Sequence, residues 1–203
     1  MKRKHPVKFV YFDVGGVILR WRQLLHTIAR NHNRKIEEVE RAFAKFDPAS
    51  CRGQISPQQL WEAMKKELVI VENEPTDFSQ LAMQSFSPIF ETHALLGQII
   101  DQVSLGILTN VHHGFFDRAV KHGHIPQLPY KAVIQSCHIG FIKPEREIYK
   151  HAQKKAGVKA AHILLVDDYV ENVAAAKRRG WQAIRFDTDN PQRSIQKIRS
   201  IIA

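Results

Sequence analysis

The chain has 203 residues, of which 44% are apolar and 25% are charged, a composition typical of a folded protein with one core domain and a smaller accessory domain. No apolar stretch reaches the ~18–20 residues of a membrane-spanning helix, and the two cysteines, Cys51 and Cys137, form no CxxC pair, which argues against a disulfide framework or a zinc ribbon. The net charge of +10 favours an anionic ligand, but the basic residues are scattered, which indicates solvated helix faces and argues against a nucleic acid partner.

The N-terminal segment superficially resembles a secretory signal peptide. Met1 and the basic residues Lys2–Lys4 precede a short apolar run. Asp13 interrupts that run early, and no small-residue cleavage site follows it. Together with the low cysteine content, this pattern predicts a cytoplasmic protein.

The first predicted element is a buried strand at Val7–Phe12, where β-branched and aromatic residues form a continuous apolar run. The tight turn Asp13-Val-Gly-Gly follows it. From about Trp21 to Phe90, apolar residues recur at helical spacing, and Ser56-Pro57 is typical of a helix start. This region is predicted to contain three to five helices.

Strand and helix patterns alternate after this helical region. The predicted strands are Val103–Leu108, Ala132–Gln135, His162–Val166 and Ala183–Phe186. The predicted helices are Gly114–His122, Pro144–Ala156, Asn172–Arg179 and a final helix from Asn190-Pro191. This order predicts an α/β fold, a Rossmann-like doubly wound parallel sheet with a helical cap domain inserted after the first strand. The expected domains are a core of residues 1–18 and 92–203 and a cap of residues 19–91.

Polar side chains follow the predicted strands where each one ends. They are Asp13, Thr109-Asn110, Lys143 and the pair Asp167-Asp168. Because ligands bind at the carboxyl ends of parallel strands, we expect these residues to meet at one edge of the sheet. A carboxylate can attack phosphorus, a hydroxyl and an ammonium can bind phosphoryl oxygens, and paired carboxylates can hold Mg²⁺.

Four segments in this order resemble the motifs of the haloacid dehalogenase-like hydrolase superfamily: FDVGGV, LTN, GFIKPEREIY and LLVDDYVENV. The resemblance extends over essentially the whole chain. The short chain and the insert after the first motif are similar to the group with a small helical cap, and in particular to bacterial sugar-phosphate phosphatases such as the α-D-glucose-1-phosphate phosphatases.

The resemblance implies a role for each matched residue. Asp13 is expected to be the nucleophile, and Lys143 the second catalytic residue. The residues expected to bind the phosphate group of the substrate are Thr109, Asn110 and Lys143. The expected Mg²⁺ ligands are Asp13, the Gly15 carbonyl and Asp167, with Asp168 and Asn172 in support.

Gly15 departs from the pattern of the superfamily. Phosphatases of this superfamily usually carry a second aspartate at this position, which protonates the leaving oxygen of the substrate. Such general acid–base catalysis raises the reaction rate ~10²–10⁴-fold. The favoured interpretation is an Mg²⁺-dependent phosphatase acting on a small phosphorylated metabolite, a sugar phosphate or a nucleotide, through an aspartyl-phosphate. An easy leaving group, or His112 or His113 as substitute acid, compensates for the missing aspartate.

Two alternatives remain from the residues. One is a haloacid dehalogenase, whose reaction needs no proton donor but whose members lack the metal-binding pair found here at Asp167-Asp168. The other is a catalytically weak phosphate-binding or interaction protein on the same fold.

Overall fold

A computed structural model describes residues 5–71 and 75–202. Met1 and Lys2–Lys4, on which the interpretation of the N-terminal segment partly depends, lie outside these ranges. No helix within them is long and apolar enough to cross a membrane.

The secondary structure alternates as the sequence predicts. The strands are β1 Phe9–Phe12, β2 Leu19–Arg20, β3 Ser87–Pro88, β4 Ser104–Thr109, β5 Ala132–Gln135, β6 Ile163–Asp167 and β7 Gln182–Arg185. The helices are α1 Gln23–Asn31, α2 Ile36–Cys51, α3 Pro57–Leu68, α4 Phe78–Ser85, α5 Phe90–Ile99, α6 Phe115–Lys121, α7 Ser136–Ile139, α8 Arg146–Ala156, α9 Val170–Arg178 and α10 Pro191–Ile202.

A five-stranded parallel sheet in the order β5-β4-β1-β6-β7 forms the centre of the protein. Successive side chains of a strand point to opposite faces, so Val10 and Phe12 pack in one apolar cluster and Phe9 and Tyr11 in another. Helices α5 and α10 contribute to the first cluster, and α8 and α9 to the second. The predicted Rossmann-like, doubly wound α/β fold is confirmed.

Element boundaries differ from the prediction where the backbone leaves helical geometry. Helix α8 begins at Arg146 instead of Pro144, because Glu145 has an extended backbone (φ −61°, ψ 149°). Helix α5 was not predicted. Its buried residues Leu95, Leu96 and Ile99 share the helix with an exposed Phe90, so the apolar pattern does not mark a single stripe.

The helical insert contains four helices within the described residues, in agreement with the predicted three to five. Helices α1 to α4 lie between the short strands β2 and β3, which pair antiparallel. Leu19 is opposite Pro88 and Arg20 opposite Ser87, so the chain enters and leaves the insert side by side. The exact division into a core and a cap at residues 19 and 91 stays a prediction.

The last turn of α2 is attached to the loop region around α7. The hydroxyl of Ser136 donates a hydrogen bond to the carbonyl oxygen of Cys51 (2.6 Å). Arg52 forms an ion pair with Glu145, two residues after Lys143. These contacts hold the end of α2 against the rim of the sheet, where the predicted functional residues lie.

Gly106, in strand β4 between β5 and β1, is surrounded so closely that a side chain has no room. A Cβ atom at this position would lie 2.7 Å from ring carbons of Phe9 and Tyr11 and 2.9 Å from the carbonyl oxygen of Ala132. Gly97, exposed on α5, has no atom within 4 Å of the same position. The two glycines therefore offer a matched test of the packing of the sheet.

We expect Gly106→Ala to lower the free energy of unfolding by ~1–3 kcal/mol through overpacking. Gly97→Ala should raise it by ~0.5–1 kcal/mol, because alanine has the higher helix propensity. Urea denaturation of both variants measures the difference. Equal stability of Gly106→Ala and the unmodified chain would contradict the packing described for β4.

Candidate active site

A buried lysine joins the ends of two neighbouring strands. Asp13 follows β1 and Asp167 ends β6, and these strands pair with Phe12 opposite Val166. The Nζ atom of Lys143 lies 2.9 Å from Oδ2 of Asp13 and 2.6 Å from Oδ2 of Asp167. The Lys143 side chain is fully buried, so the two carboxylates stabilise its charge in place of the hydration that burial removes.

Both carboxylate oxygens of Asp167 accept hydrogen bonds from the protein. Its Oδ1 accepts hydrogen bonds from the backbone N–H of Tyr169 (3.0 Å) and from Nδ2 of Asn172 (2.9 Å). Its Oδ2 accepts from Lys143 (2.6 Å) and lies 3.2 Å from the same Asn172 nitrogen. Asn172 thus lies where the sequence predicted a supporting residue, in direct contact with the second carboxylate.

Asp168 differs from its neighbour because one of its carboxylate oxygens has no partner. Oδ1 of Asp168 is buried and forms no hydrogen bond with any described residue. A Cβ atom on Gly16, which has φ +75°, would lie 2.3 Å from the other oxygen, so the carboxylate packs directly against the turn after β1. Carboxylate oxygens of Asp13, Asp167 and Asp168 all lie within 4.8 Å of one another.

The charges of this cluster do not balance. Burial raises the pKa of Asp13 to about 6, an effect that Lys143 opposes and Asp167 reinforces. Burial also raises the pKa of Asp168 to about 7, and the neighbouring carboxylates add to the shift. Burial disfavours the charged form of Lys143, but the two carboxylates outweigh it and raise its pKa. Three carboxylates around one ammonium, with an unpartnered hard oxygen, fit a site for a divalent cation such as Mg²⁺.

Thr109, the last residue of β4, and Asn110, which follows it, have different surroundings. Both polar atoms of the Asn110 side chain bind the backbone of Lys143: Nδ2 donates to its carbonyl (3.0 Å), and Oδ1 accepts from its N–H (2.7 Å). The buried hydroxyl of Thr109 makes only a long contact (3.4 Å) to the Asn110 carbonyl. Asn110 therefore positions Lys143, and its predicted contact with substrate stays a prediction, as does that of Thr109.

The side chain of Trp21 occupies the space next to Gly15. A Cβ atom on Gly15 would lie 2.9 Å from Cδ1 and 3.2 Å from Nε1 of Trp21. An aspartate at this position would therefore require the indole to move. Trp21 was not predicted to lie at the site, because nothing in the local sequence pattern indicates that its side chain folds back over the turn.

A cavity of about 600 Å³ opens beside the carboxylates, and Asp13, Thr109 and Lys143 border it. His112 also lines it and is 5% exposed, with Nε2 2.7 Å from Oδ1 of Asp47. Its Nδ1 is buried and has no hydrogen-bond partner among the described residues.

The two histidines considered as substitute acids are therefore separated. His113 is exposed, is not among the residues that line the cavity, and lies beside His138 at a ring distance of 5.4 Å. Asp47, the partner of His112, was missed because Pro48 follows it and suggests a helix end, whereas α2 continues through Pro48 to Cys51.

The sequence model of the haloacid dehalogenase-like hydrolases matches residues 7–180. The chain belongs to this family, and the prediction of a hydrolase is confirmed.

Relatives and solved structures agree with this assignment. The chain is 24% identical over 180 residues to a sesquiterpene phosphatase of Aspergillus oryzae, covering 88% of this chain and 89% of the relative. A HAD family enzyme from Bacteroides thetaiotaomicron, solved with magnesium and inorganic phosphate, has a TM-score of 0.71 at 17% identity and covers 90% and 95% of the two chains. A predicted HAD-like hydrolase from Porphyromonas gingivalis has a TM-score of 0.74 at 20% identity, with 96% and 98% covered. These structures support the fold.

The raised pKa values of Asp13 and Asp168 predict how Mg²⁺ and pH act together. Both groups have an ordinary pKa of 3.8, so in the metal-free protein the folded state retains protons that the unfolded state has lost. Stability should therefore fall as the pH rises through about 6 to 7. A cation site at this cluster would use the deprotonated carboxylates, so we expect Mg²⁺ to raise Tm more at pH 8 than at pH 5.

Thermal unfolding with and without Mg²⁺ tests this expectation. Asp168→Asn should reduce the Mg²⁺-induced rise in Tm at pH 8, whereas Glu147→Gln, an exposed change on α8, should preserve it. An Mg²⁺ effect of the same size at both pH values, or in Asp168→Asn and the unmodified chain, would contradict a cation site at this cluster.

Proposed function

We propose that this protein is an Mg²⁺-dependent phosphatase that hydrolyses phosphate monoesters through an aspartyl-phosphate at Asp13. The observation that carries the proposal is the buried network of Asp13, Lys143 and Asp167 beside the unpartnered carboxylate oxygen of Asp168. The similarity to a sesquiterpene phosphatase supports phosphate-ester hydrolysis, and the likeness to an enzyme solved with magnesium and inorganic phosphate supports the cofactor.

The metal ligands that the geometry favours are Asp13 and Asp168, and the motif resemblance adds the Gly15 carbonyl. The resemblance of the sequence motifs implies Asp167 as a ligand instead. Both oxygens of Asp167 already accept hydrogen bonds, however, and the bond from Lys143 favours a role in orienting that lysine. When bound, Mg²⁺ supplies positive charge that offsets the repulsion between the anionic nucleophile and the anionic ester.

In the proposed reaction the carboxylate of Asp13 attacks phosphorus, and the bond between phosphorus and the ester oxygen breaks. The ammonium of Lys143 stabilises the negative charge on the phosphoryl oxygens, and the hydroxyl of Thr109 donates a hydrogen bond to them. Water then hydrolyses the aspartyl-phosphate and regenerates the free carboxylate of Asp13.

The leaving oxygen needs a proton that Gly15 cannot give. We assign this proton to His112, whose ring lines the cavity and is paired with Asp47. The contact with Asp47 fixes the orientation of the ring, and the buried Nδ1 atom has no hydrogen-bond partner among the described residues, so it is free to face the leaving oxygen. His113 is the less suitable candidate, because it is exposed and is not part of the cavity lining.

The alternatives fit the site less well. A haloacid is an anion, and the three clustered carboxylates would repel it without a cation. A phosphate-binding protein without catalysis would need no buried nucleophile, and a measurement of turnover distinguishes it from a phosphatase. The sequence also suggested a sugar phosphate or a nucleotide as substrate, a similarity to α-D-glucose-1-phosphate phosphatases and a cytoplasmic location; these stay predictions.

We expect Asp13→Asn to lower kcat/KM for p-nitrophenyl phosphate by at least ~10³-fold, because an amide cannot form the aspartyl-phosphate. Asp101→Asn, an exposed change remote from the site, is the control and should keep full activity. Full activity in Asp13→Asn would overturn the proposal. An absence of Mg²⁺-dependent turnover in the unmodified chain, with stabilisation by inorganic phosphate, would favour the non-catalytic alternative.

The role of His112 predicts a dependence on the leaving group. His112→Asn should lower kcat/KM for an alkyl phosphate by ~10²–10⁴-fold, because an alkoxide must be protonated as it leaves. The loss should be under ~10-fold for p-nitrophenyl phosphate, whose leaving group is far less basic. His113→Asn is the matched control and should change neither rate. The same loss for both substrates, or for both histidines, would contradict the assignment.

A further inference from the structure

The cavity beside Asp13 has two chemically different parts. Polar groups border it where the phosphate would bind, namely those of Asp13, Thr109 and Lys143. Large apolar side chains from the helical insert and from α6 line another part of the cavity: Leu24, Leu25, Phe43, Phe86, Phe115 and Phe116. The apolar part is therefore continuous with the proposed reaction centre.

Aromatic rings form a continuous wall along this cavity. The ring of Trp21 lies 5.5 Å from that of Phe43, which lies 6.1 Å from that of His112. His112 is 4.9 Å from Phe115, and Phe115 is 6.3 Å from Phe86. Such a surface contacts a hydrocarbon well, whereas it offers few hydrogen bonds to hydroxyl groups.

Few polar side chains of the cavity are both buried and free to bind a sugar hydroxyl or a second phosphate; Glu40, Tyr169 and Glu171 also line it, but they are exposed. His112 and Asp47 are already paired with each other. Among the described residues that line the cavity, Arg22 is the one lysine or arginine besides Lys143. Its side chain is exposed, and its Nη1 atom lies 4.0 Å from Oε1 of Glu40. Buried hydroxyls without partners are costly, and a polyanion requires several cations.

We infer that the apolar part of this cavity binds the organic group of the substrate, and that the substrate is the monophosphate of an apolar alcohol, a linear or branched hydrocarbon of medium length. This inference rests on the proposed phosphatase function. It differs from the sugar phosphate or nucleotide that the sequence suggested, because motifs around the phosphate contain no information about the group attached to it.

A homologous series of n-alkyl phosphates tests the inference directly. Butyl, hexyl and decyl phosphate share the same primary alkoxide leaving group, so differences between them report the apolar cavity and not the chemistry. Below the micellar concentration, kcat/KM should rise with chain length by up to about fourfold per methylene, the factor that corresponds to ~0.8 kcal/mol per buried CH₂. Glucose 1-phosphate and a nucleoside monophosphate should be poorer substrates than decyl phosphate.

Ala119 provides a variant that should change this selectivity. It is buried on α6 and lines the cavity, so Ala119→Phe should shorten the preferred chain and lower kcat/KM for decyl phosphate at least ~10-fold relative to butyl phosphate. Ala94→Phe, on the exposed face of α5, is the control and should leave the whole series unchanged.

The outcomes separate the two proposals. Turnover of p-nitrophenyl phosphate with a flat alkyl series, or with glucose 1-phosphate or the nucleotide as the best substrate, would overturn the apolar substrate and leave the phosphatase standing. No turnover of p-nitrophenyl phosphate or of any alkyl phosphate would overturn the phosphatase and the inference with it. The series in the unmodified chain decides the matter even if Ala119→Phe does not fold.

Discussion

The ammonium of Lys143, buried between two carboxylates, is the interaction on which the rest of the site depends. Removing one partner of such a network leaves an uncompensated buried charge, which costs ~3–5 kcal/mol. The sheet supplies both partners because β1 and β6 are neighbours, and Asn110 fixes the backbone of the lysine through two hydrogen bonds. The order of the strands thus dictates where a nucleophile and a counter-charge meet.

The same network explains why a cation belongs here. One ammonium cannot balance three clustered carboxylates, and the unsatisfied oxygen of Asp168 is the part of the cluster that protein groups leave open. A divalent ion would restore the balance and supply that oxygen with a ligand bond. The contacts of Asp167 and the proposed ligand role of Asp168 are therefore complementary: one carboxylate holds the lysine, and the other has an oxygen that a cation could bind.

Much of the core and its rim was predictable from the sequence because the signals are local. Apolar runs mark β1, β4 and β6, and a polar residue at the end of each run necessarily lies at the same edge of a parallel sheet. The different environments of Asp167 and Asp168 were not predictable, since adjacent residues after a strand point to different sides and the pattern does not tell which side holds the lysine.

The surroundings of the site were harder to predict because they depend on how helices pack. Asp47 and Trp21 reach the cavity through the orientation of the insert, which apolar periodicity does not specify. Helix α2 also continues beyond Pro48, and tertiary contacts such as the hydrogen bond from Ser136 to Cys51 support its final turn. Local sequence thus indicates the chemistry, whereas long-range packing determines which substrates fit.

The close approach of Trp21 to Gly15 also constrains how this protein can evolve. An aspartate cannot be introduced at position 15 by a single substitution without displacing the indole, so changes at the two positions are energetically coupled. A smaller residue at position 21 would have to come first, and it would remove the first ring of the aromatic wall. Introducing a proton donor at position 15 would therefore also reshape the space available to the substrate.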